Sequence, residues 1–316
     1  MKLKKFMYIN IILSLILIGS IYTISKVTKE YIQNDLYKFK SYLSRKNNSI
    51  KLVNLGTSHG KYGIFYLKND YLKMNLARDN QSFYYDLKLL KKYNKKIEKN
   101  ATIVIPISIF SFYSHYKESI NKNYIQLLKR KDVLGINLSK YYLMKHFLIL
   151  YPPSNILTII KNNKKSKVIR NLVIYPEDLK YEQRKKESLE TVEVHLGIIE
   201  KAYSIKNAEE DFIKLIDYIE SKNWNYVLIT TPFSYLYNEN IEKYQKRAFQ
   251  KRIYDNLREV EEKLGKKFVY LDYSHDSRFE NNLEYFFDDD HLNEKGAKYF
   301  TEILLKDLKK LGYKID

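Results

Sequence analysis

A serine in a short segment bounded by glycines is the first residue of this chain whose type and setting could do chemistry. The segment runs from Gly56 through Thr57, Ser58 and His59 to Gly60, directly after an apolar stretch typical of a buried strand. Small residues let the chain turn sharply, so that the Ser58 hydroxyl faces solvent and backbone N–H groups face a developing oxyanion. A serine in such a turn is also commonly only a helix cap, so both roles stay open.

A second segment with reactive side chains lies near the end of the chain, where three aspartates precede a histidine, from Asp288 to His291. A carboxylate three residues before a histidine can bend back and accept a hydrogen bond from one ring nitrogen. The other ring nitrogen is then left as a general base. Asp288 is therefore the residue expected to orient His291.

Two other interpretations fit this acidic segment. It could be a loop that caps the following helix, with a histidine on the surface. Asp288, Asp289, Asp290 and His291 could also bind a divalent metal ion. The sequence has no second cluster at a readable spacing that would supply further ligands, so we expect neither a metal nor a cofactor.

The elements that must position both segments follow a pattern of alternating strands and helices. The predicted strands are Ile50–Leu55, Tyr71–Ala77, Ala101–Ile107, Tyr226–Thr230 and Phe268–Leu271. The predicted helices are 81–97, 209–221, 241–264 and 294–311, the last with Asn293 as its N-cap. Strands that are apolar throughout and alternate with helices are typical of a mostly parallel sheet covered on both faces. Because ligands bind beyond the carboxyl ends of such strands, Ser58 and His291 are expected to meet at one edge of the sheet.

The chain outside this pattern divides into an N-terminal hydrophobic segment, a stalk and an insertion. The apolar run Phe6–Ile24 follows a basic head and would span roughly 28 Å as a helix, enough to cross a bilayer. We expect residues 1–25 to be a signal anchor with a cytoplasmic N-terminus, 26–49 a stalk, and 50–316 an extracytoplasmic domain. A cleaved signal peptide is the alternative, although no convincing cleavage site follows the run. Residues 109–208 are predicted to be a largely helical insertion that covers the sheet.

Composition excludes several classes of protein. The chain has no cysteine, which excludes a disulfide scaffold and a thiolate nucleophile. Hydrophobic residues at 45 % and charged residues at 29 % exclude a disordered chain and a multi-pass membrane protein. The net charge of +19 fits either contact with a polyanion or the lysine-rich drift of an AT-rich genome. Since arginine is scarce, nucleic acid is not predicted as a partner.

Ser58 after the first strand, paired with Asp288 and His291 before the last helix, resembles the layout of the SGNH/GDSL hydrolase superfamily. The segment from 288 to 297 is most similar to the envelope branch, which includes alginate-type O-acetyltransferases and the D protein of lipoteichoic-acid D-alanylation. The resemblance extends over residues 50–312, but its motifs are the two short segments. It implies a flavodoxin-like three-layer α/β/α sandwich in which Ser58 is the nucleophile, His291 the base and Asp288 its orienting group.

The sequence departs from the family pattern where the oxyanion is bound. Thr57 replaces the usual acidic residue before the serine. In place of the oxyanion glycine, the Asn80 backbone N–H or the Gln81 side chain is expected to donate together with Ser58. Ser108 stands where the family has an asparagine and is a poor substitute. Losing one such donor can lower the rate by about 10²–10³-fold.

Three further residues are candidates for contact with the substrate or with the triad. His59 adjoins the proposed nucleophile, although it is also typical of a simple turn residue. His275 and Thr231 follow predicted strands and should face the same edge.

The resemblance implies a membrane-anchored, extracytoplasmic acyltransferase or esterase. Its substrates would be acyl esters, acetyl or alanyl, of a cell-envelope polysaccharide or teichoic acid. Because acyl-CoA is confined to the cytoplasm, the resemblance also implies a partner, a multi-pass membrane-bound O-acyltransferase. The rival hypothesis is a non-catalytic domain that binds the envelope polymer or an assembly partner.

Overall fold

The computed structural model describes residues 2–32, 39, 42–44, 49–67, 70–113, 124–147, 176–200 and 205–315. Its helices are α1 (Lys2–Ile32), α2 (Ser58–Gly63), α3 (Phe83–Tyr93), α4 (Leu138–His146), α5 (Tyr181–Glu200), α6 (Ile205–Ser221), α7 (Tyr235–Leu264), α8 (Ser277–Glu280) and α9 (Glu294–Lys310). Short 3-10 turns occupy Asn94–Lys96, Ser111–Tyr113, Arg130–Asp132 and Leu283–Tyr285. The strands are β1 (Ile50–Asn54), β2 (Lys73–Asn75), β3 (Ile97–Pro106), β4 (Asn225–Thr230) and β5 (Tyr270–Asp272).

The chain forms two compact units, one of residues 1–44 and 116–169 and the other of residues 45–115 and 170–316. In the first unit, the Tyr22 ring of α1 packs edge-on to Phe147, 6.0 Å between centroids. Asn137 caps α4 by accepting a hydrogen bond from the Lys140 N–H. Parts of the predicted stalk (33–38, 40–41 and 45–48) and of the predicted insertion (114–123, 148–175 and 201–204) lie outside the described residues.

Helix α1 has the length and composition of a membrane-spanning helix. The stretch Leu3–Lys26 has a mean hydropathy of 2.0 in its most apolar window, and no residue of that window is buried within the protein. A signal sequence at the N-terminus has the same properties.

The second unit is built on a five-stranded, all-parallel sheet in the order β2-β1-β3-β4-β5. This confirms the predicted α/β fold with a parallel sheet. The ends of some elements differ from the prediction. Strand β3 begins at Ile97 rather than Ala101. Helix α7 begins at Tyr235 rather than 241, because Ser234 caps it by accepting from the Tyr237 N–H.

Helices cover both faces of the sheet and produce the three-layer sandwich. On one face, Leu52, Val104 and Val227 pack into a buried cluster with Phe300 and Leu304 of α9. Successive strand residues point to opposite faces, so their neighbours Val53, Ile103 and Leu228 are buried against the other face. Helices α3 and α6 lie together there, with Phe83 and Phe212 rings 4.8 Å apart. The carboxyl ends of the strands and the loop before α9 carry the residues discussed next.

Candidate active site

The turn after β1 is packed so closely that it fixes where Ser58 lies. Gly56 has a φ of +99°, and a Cβ there would come within 3.1 Å of the Pro106 ring at the end of β3. A Cβ on Gly60 would collide with the Leu55 carbonyl oxygen. The chain therefore passes directly from strand into helix, and Ser58, half-buried, is the first residue of α2.

A buried aspartate braces this turn from α3. Asp86 accepts hydrogen bonds at Oδ1 from the Gly56 N–H (2.9 Å) and from Gln81 Nε2 (2.6 Å). Burial raises the pKa of Asp86 to about 7, although both donors favour the carboxylate. Gln81 Nε2 also donates to the Leu76 carbonyl at 3.1 Å. Both amide hydrogens are therefore used, and, contrary to expectation, the Gln81 side chain has none left for an oxyanion. Asn80 is exposed beside it, with a φ of +54°.

The loop before α9 brings His291 to Ser58. His291 Nε2 lies 2.8 Å from Ser58 Oγ, and His291 Nδ1 lies 2.9 Å from Asp288 Oδ2. Asp288 Oδ1 also accepts from the His291 backbone N–H at 2.7 Å, so this aspartate bends back over three residues. The Phe287 ring stacks on the imidazole at 5.4 Å between centroids. A continuous chain of hydrogen bonds thus joins Ser58, His291 and Asp288.

The helix that follows this loop is capped as the sequence predicted. Asn293 accepts a hydrogen bond from the Gly296 N–H at 3.0 Å. Its side-chain amide donates back to the Glu284 carbonyl at 2.9 Å. The cap therefore ties the loop that holds His291 to the first turn of α9.

A second carboxylate, Asp290, reaches the same imidazole from the buried side. Asp290 Oδ1 lies 2.8 Å from His291 Nδ1, and Asp290 Oδ2 lies 3.0 Å from His59 Nε2. His59 Nδ1 in turn lies 2.6 Å from Ser108 Oγ. His59, Ser108 and Asp290 are all at most 3 % exposed. Sequence reasoning considered Asp290 only as a metal ligand, and Ser108 only as a weak oxyanion donor. The structure instead places the Ser108 hydroxyl against His59.

The two imidazoles beside Asp290 have opposite pKa shifts. Burial lowers the pKa of His291, but the carboxylates of Asp290 and Asp288 outweigh it and raise that pKa well above its ordinary value. For His59, burial outweighs Asp290, and the pKa is lowered. Burial also opposes ionisation of Asp290, yet His291 and His59 hold its pKa well below the usual range. A neutral His59 therefore donates from Nε2 to an ionised Asp290 and accepts the Ser108 hydroxyl at Nδ1.

Helices α5 and α7 close the buried side of the site. His195 Nε2 lies 3.9 Å from Asp290 Oδ2, and His195 Nδ1 lies 2.8 Å from the Tyr237 hydroxyl. Burial lowers the pKa of His195 to about 4, so this imidazole is neutral. The Phe110 ring packs on His195 at 4.7 Å. No local motif marks His195 in the sequence, since it reaches the site only through the packing of α5.

Asp289, which lies between Asp288 and Asp290 in the sequence, faces Thr191 of α5. Its Oδ1 accepts from the Thr191 hydroxyl at 3.3 Å, and its buried Oδ2 has no hydrogen-bond partner in the described part of the chain. Burial raises the pKa of Asp289 to about 8, with Asp290 and Asp288 adding to the shift. This side chain is therefore largely uncharged at neutral pH.

His275 and Thr231 lie at the expected edge of the sheet but in different surroundings. His275 Nδ1 lies 2.9 Å from Glu280 Oε1, and the contacts that the structure describes for it do not include Ser58 or His291. Thr231 Cγ2 approaches Gly63, to 2.9 Å from the position a Cβ would take. Thr231 thus supports the end of α2.

Among the residues that the structure describes, two groups of side chains are spaced closely enough to hold a metal ion. They are His59, Asp290 and His291, and Asp288, Asp289 and Asp290. In the first group each imidazole faces a different oxygen of Asp290, so the donor atoms point along a hydrogen-bonded chain. Metal binding would require them to converge on one point and would break the contacts to both histidines.

Comparisons with known proteins add little to this geometry. No protein-family model matches the sequence, and the search of curated proteins returned no significant match. Among solved structures, a candidate acylhydrolase from Bacteroides fragilis aligns over 90 % of this chain and 96 % of its own, at 12 % identity and a TM-score of 0.38. A likeness this distant carries no argument about function, which rests on the site itself.

Proposed function

We propose that this protein is an SGNH-like serine acyltransferase or esterase in which Ser58 is the nucleophile, His291 the base and Asp288 its orienting group. The observation that carries the proposal is the hydrogen-bonded chain from Ser58 Oγ through both ring nitrogens of His291 to Asp288. The three groups stand in the order that nucleophilic acyl transfer requires. Ser58 is also half-buried rather than enclosed, so a substrate can reach it.

The reaction proceeds in two steps. Ser58 Oγ bonds to the acyl carbon while its proton moves to His291 Nε2, and that proton then passes to the leaving oxygen as the ester bond breaks. In the second step His291 takes a proton from water or from an acceptor hydroxyl, whose oxygen bonds to the acyl carbon. His291 then returns that proton to Ser58 Oγ as the bond between Ser58 and the acyl group breaks. The imidazolium formed in each step is stabilised by Asp288 and Asp290 at Nδ1.

The oxyanion would be bound by backbone groups rather than by side chains. Ser58 begins α2, and the first N–H groups of a helix have no acceptor within it. The Asn80 N–H is the second donor in this proposal. With Gln81 and Ser108 committed elsewhere, we expect a modest hydrolytic rate.

We further propose that α1 anchors the protein with the second unit outside the membrane. The basic head and the exposed apolar surface of α1 support this orientation. In that compartment the acyl acceptor would be an envelope polysaccharide or teichoic acid. The acyl group would come from a multi-pass membrane-bound O-acyltransferase.

The test compares full-length wild type with the Ser58→Ala variant, in detergent, on a small acyl ester such as an acetyl ester of a chromogenic alcohol. We expect the variant to lose at least about 10³-fold in kcat, with little change in its melting temperature. Thr57→Ser, on the adjacent residue, is the control and should keep most of the activity. Equal turnover by Ser58→Ala and wild type would refute Ser58 as the nucleophile. If both rates equalled the uncatalysed rate, the result would favour the non-catalytic rival.

A further inference from the structure

The base of this site has two carboxylates at one nitrogen, where the usual triad has one. His291 Nδ1 lies 2.9 Å from Asp288 Oδ2 and 2.8 Å from Asp290 Oδ1. Only one hydrogen is available at that nitrogen, and its hydrogen bond is to Asp288. Asp290 therefore contributes charge and a second contact to the same ring.

Asp290 cannot turn away from His291, because its other oxygen is held in the interior. Asp290 Oδ2 accepts from His59 Nε2 at 3.0 Å. His59 is fixed in turn by the Ser108 hydroxyl at 2.6 Å and by the Phe233 ring, 5.2 Å between centroids. All four side chains are buried, so solvent does not compete for these contacts.

We propose that Asp290, held by His59 and Ser108, is a second positioning residue for the base, which fixes His291 against Ser58 from the buried side. The inference rests on the proposed function and deepens it. Ser108, His59 and Asp290 repeat the serine–histidine–aspartate order of a triad. With Ser108 only 1 % exposed, however, they act as a support for the first triad and not as a second nucleophile.

The charges around Asp290 and His291 determine how the protonation of His291 responds to pH. In the described part of the chain, the titratable groups that face Asp290 and His291 are His59 and Tyr62 from α2, His195 from α5, Tyr237 from α7, and Asp288 and Asp289 from their own loop. Burial lowers the pKa of His59 and of His195, and burial raises the pKa of Tyr237 well above its usual range. All three are thus neutral at neutral pH. The two carboxylates at Nδ1 are then the charges that govern the protonation of His291.

The first experiment follows the rate at which a fluorophosphonate modifies Ser58 in the full-length chain, between pH 5 and pH 10. Asp290→Asn removes one carboxylate from His291 but keeps the shape of the side chain. The acidic limb of the pH–rate profile, where the rate rises as His291 loses its proton, should therefore move down by about one to three pH units relative to wild type. Asp289→Asn is the matched control. It is adjacent and equally buried, but its carboxyl faces Thr191 and becomes charged only near pH 8, so it should move the limb clearly less than Asp290→Asn does.

Two outcomes of this experiment would overturn the inference. One is a fall in rate for Asp290→Asn with the acidic limb at the wild-type position, which is what a merely structural role predicts. The other is an equal movement of the limb in Asp289→Asn, which would trace the effect to the loop as a whole.

A second measurement needs no substitution at Asp290 and so does not depend on that variant folding. In wild type labelled with ¹⁵N-histidine, the nitrogen shifts of His59 should show a proton on Nε2 and none on Nδ1 from pH 7 to pH 9. Titration of His59 at or above pH 6.5, or a proton on Nδ1, would contradict the hydrogen-bonded chain from Asp290 through His59 to Ser108. This spectrum reports the contacts of His59 with Asp290 and Ser108 even if Ser58 proves unreactive. Failure of the inference can therefore be distinguished from failure of the proposed function.

Discussion

Ser58 and His291 are held in place by neighbours of different kinds. Ser58 is fixed by its backbone, in a turn packed so closely that a Cβ at Gly56 or Gly60 would press on Pro106 or on the Leu55 carbonyl. His291 is fixed by its side chain, between Asp288, Asp290 and the Phe287 ring. The short distance between Ser58 Oγ and His291 Nε2 results from both kinds of constraint.

The raised pKa of His291 predicts an alkaline pH dependence. Only the neutral imidazole can accept the Ser58 proton, so kcat/KM should be low where His291 is protonated and should rise with pH through that pKa. The acidic limb of the pH–rate profile is therefore expected clearly above 6.5, the ordinary histidine value. A limb at or below 6.5 would show that the two carboxylates do not act on His291 as described.

Asp289 predicts a pH-dependent gain in stability on substitution. Its folded pKa of about 8 exceeds the unfolded value of 3.8, so the folded state loses stability as pH rises between them. Asp289→Asn removes that loss. Its gain in Tm over wild type should be small at pH 5 and larger by about 3 °C or more at pH 8.5. Glu210→Gln, on the exposed surface, is the control and should show no such trend. A gain in Tm that is equal at both pH values would contradict a raised pKa of Asp289 in the folded state.

At the scale of elements, the junction between β1 and α2 is the part of the fold on which the site depends most. Leu55 and Pro106 approach Gly60 so closely that no side chain fits. Asp86 on α3 holds the same junction through the Gly56 N–H. A change here should disturb Ser58 even though it leaves every proposed catalytic residue unchanged.

Gly60→Ala tests this junction. The added methyl group would overlap the Leu55 carbonyl and press on Pro106, which should cost about 1–3 kcal/mol of stability and slow phosphonate labelling of Ser58. Gly197→Ala, inside α5 with open space around it, is the matched control. It should be neutral or up to about 1 kcal/mol more stable. Denaturant unfolding of both variants is the measurement, and equal stabilities would contradict the close packing.

Much of this arrangement is predictable from sequence, because it depends on local patterns. Apolar runs separated by helices are sufficient for the parallel sheet, and Asn293 marks the start of α9. The roles of His59, Ser108 and His195 depend instead on contacts between distant segments, which no local spacing reveals. The start of α7 was missed because Ser234 lies in an apolar stretch that conceals its capping role.

At the scale of the whole molecule, the apolar helix α1 contrasts with the rest of the chain. Its side chains from Leu3 to Ser20 are exposed, including large apolar residues that a folded protein normally buries. A bilayer would cover them. The net charge of +19 would also favour the anionic surface of a cell envelope.

The proposed role of α1 as a membrane anchor predicts how the protein fractionates in cells. The full-length 38.1 kDa chain should stay in the membrane pellet after alkaline carbonate washing. Leu13→Lys with Leu17→Lys should release it or block its insertion, because each charge near the helix centre costs about 2.5–3.5 kcal/mol. Lys95→Gln with Lys96→Gln, in the second unit, is the control and should stay in the membrane pellet like wild type. Recovery of wild type as a shorter, soluble chain would instead indicate a cleaved signal peptide.

The most direct test of the central claim is to identify which residue a fluorophosphonate modifies in the full-length chain. Peptide mass spectrometry should find a single adduct, on Ser58, and His291→Gln should slow its formation by at least about 10³-fold. Modification of another serine, or equal labelling of Ser58 in wild type and in His291→Gln, would contradict the account.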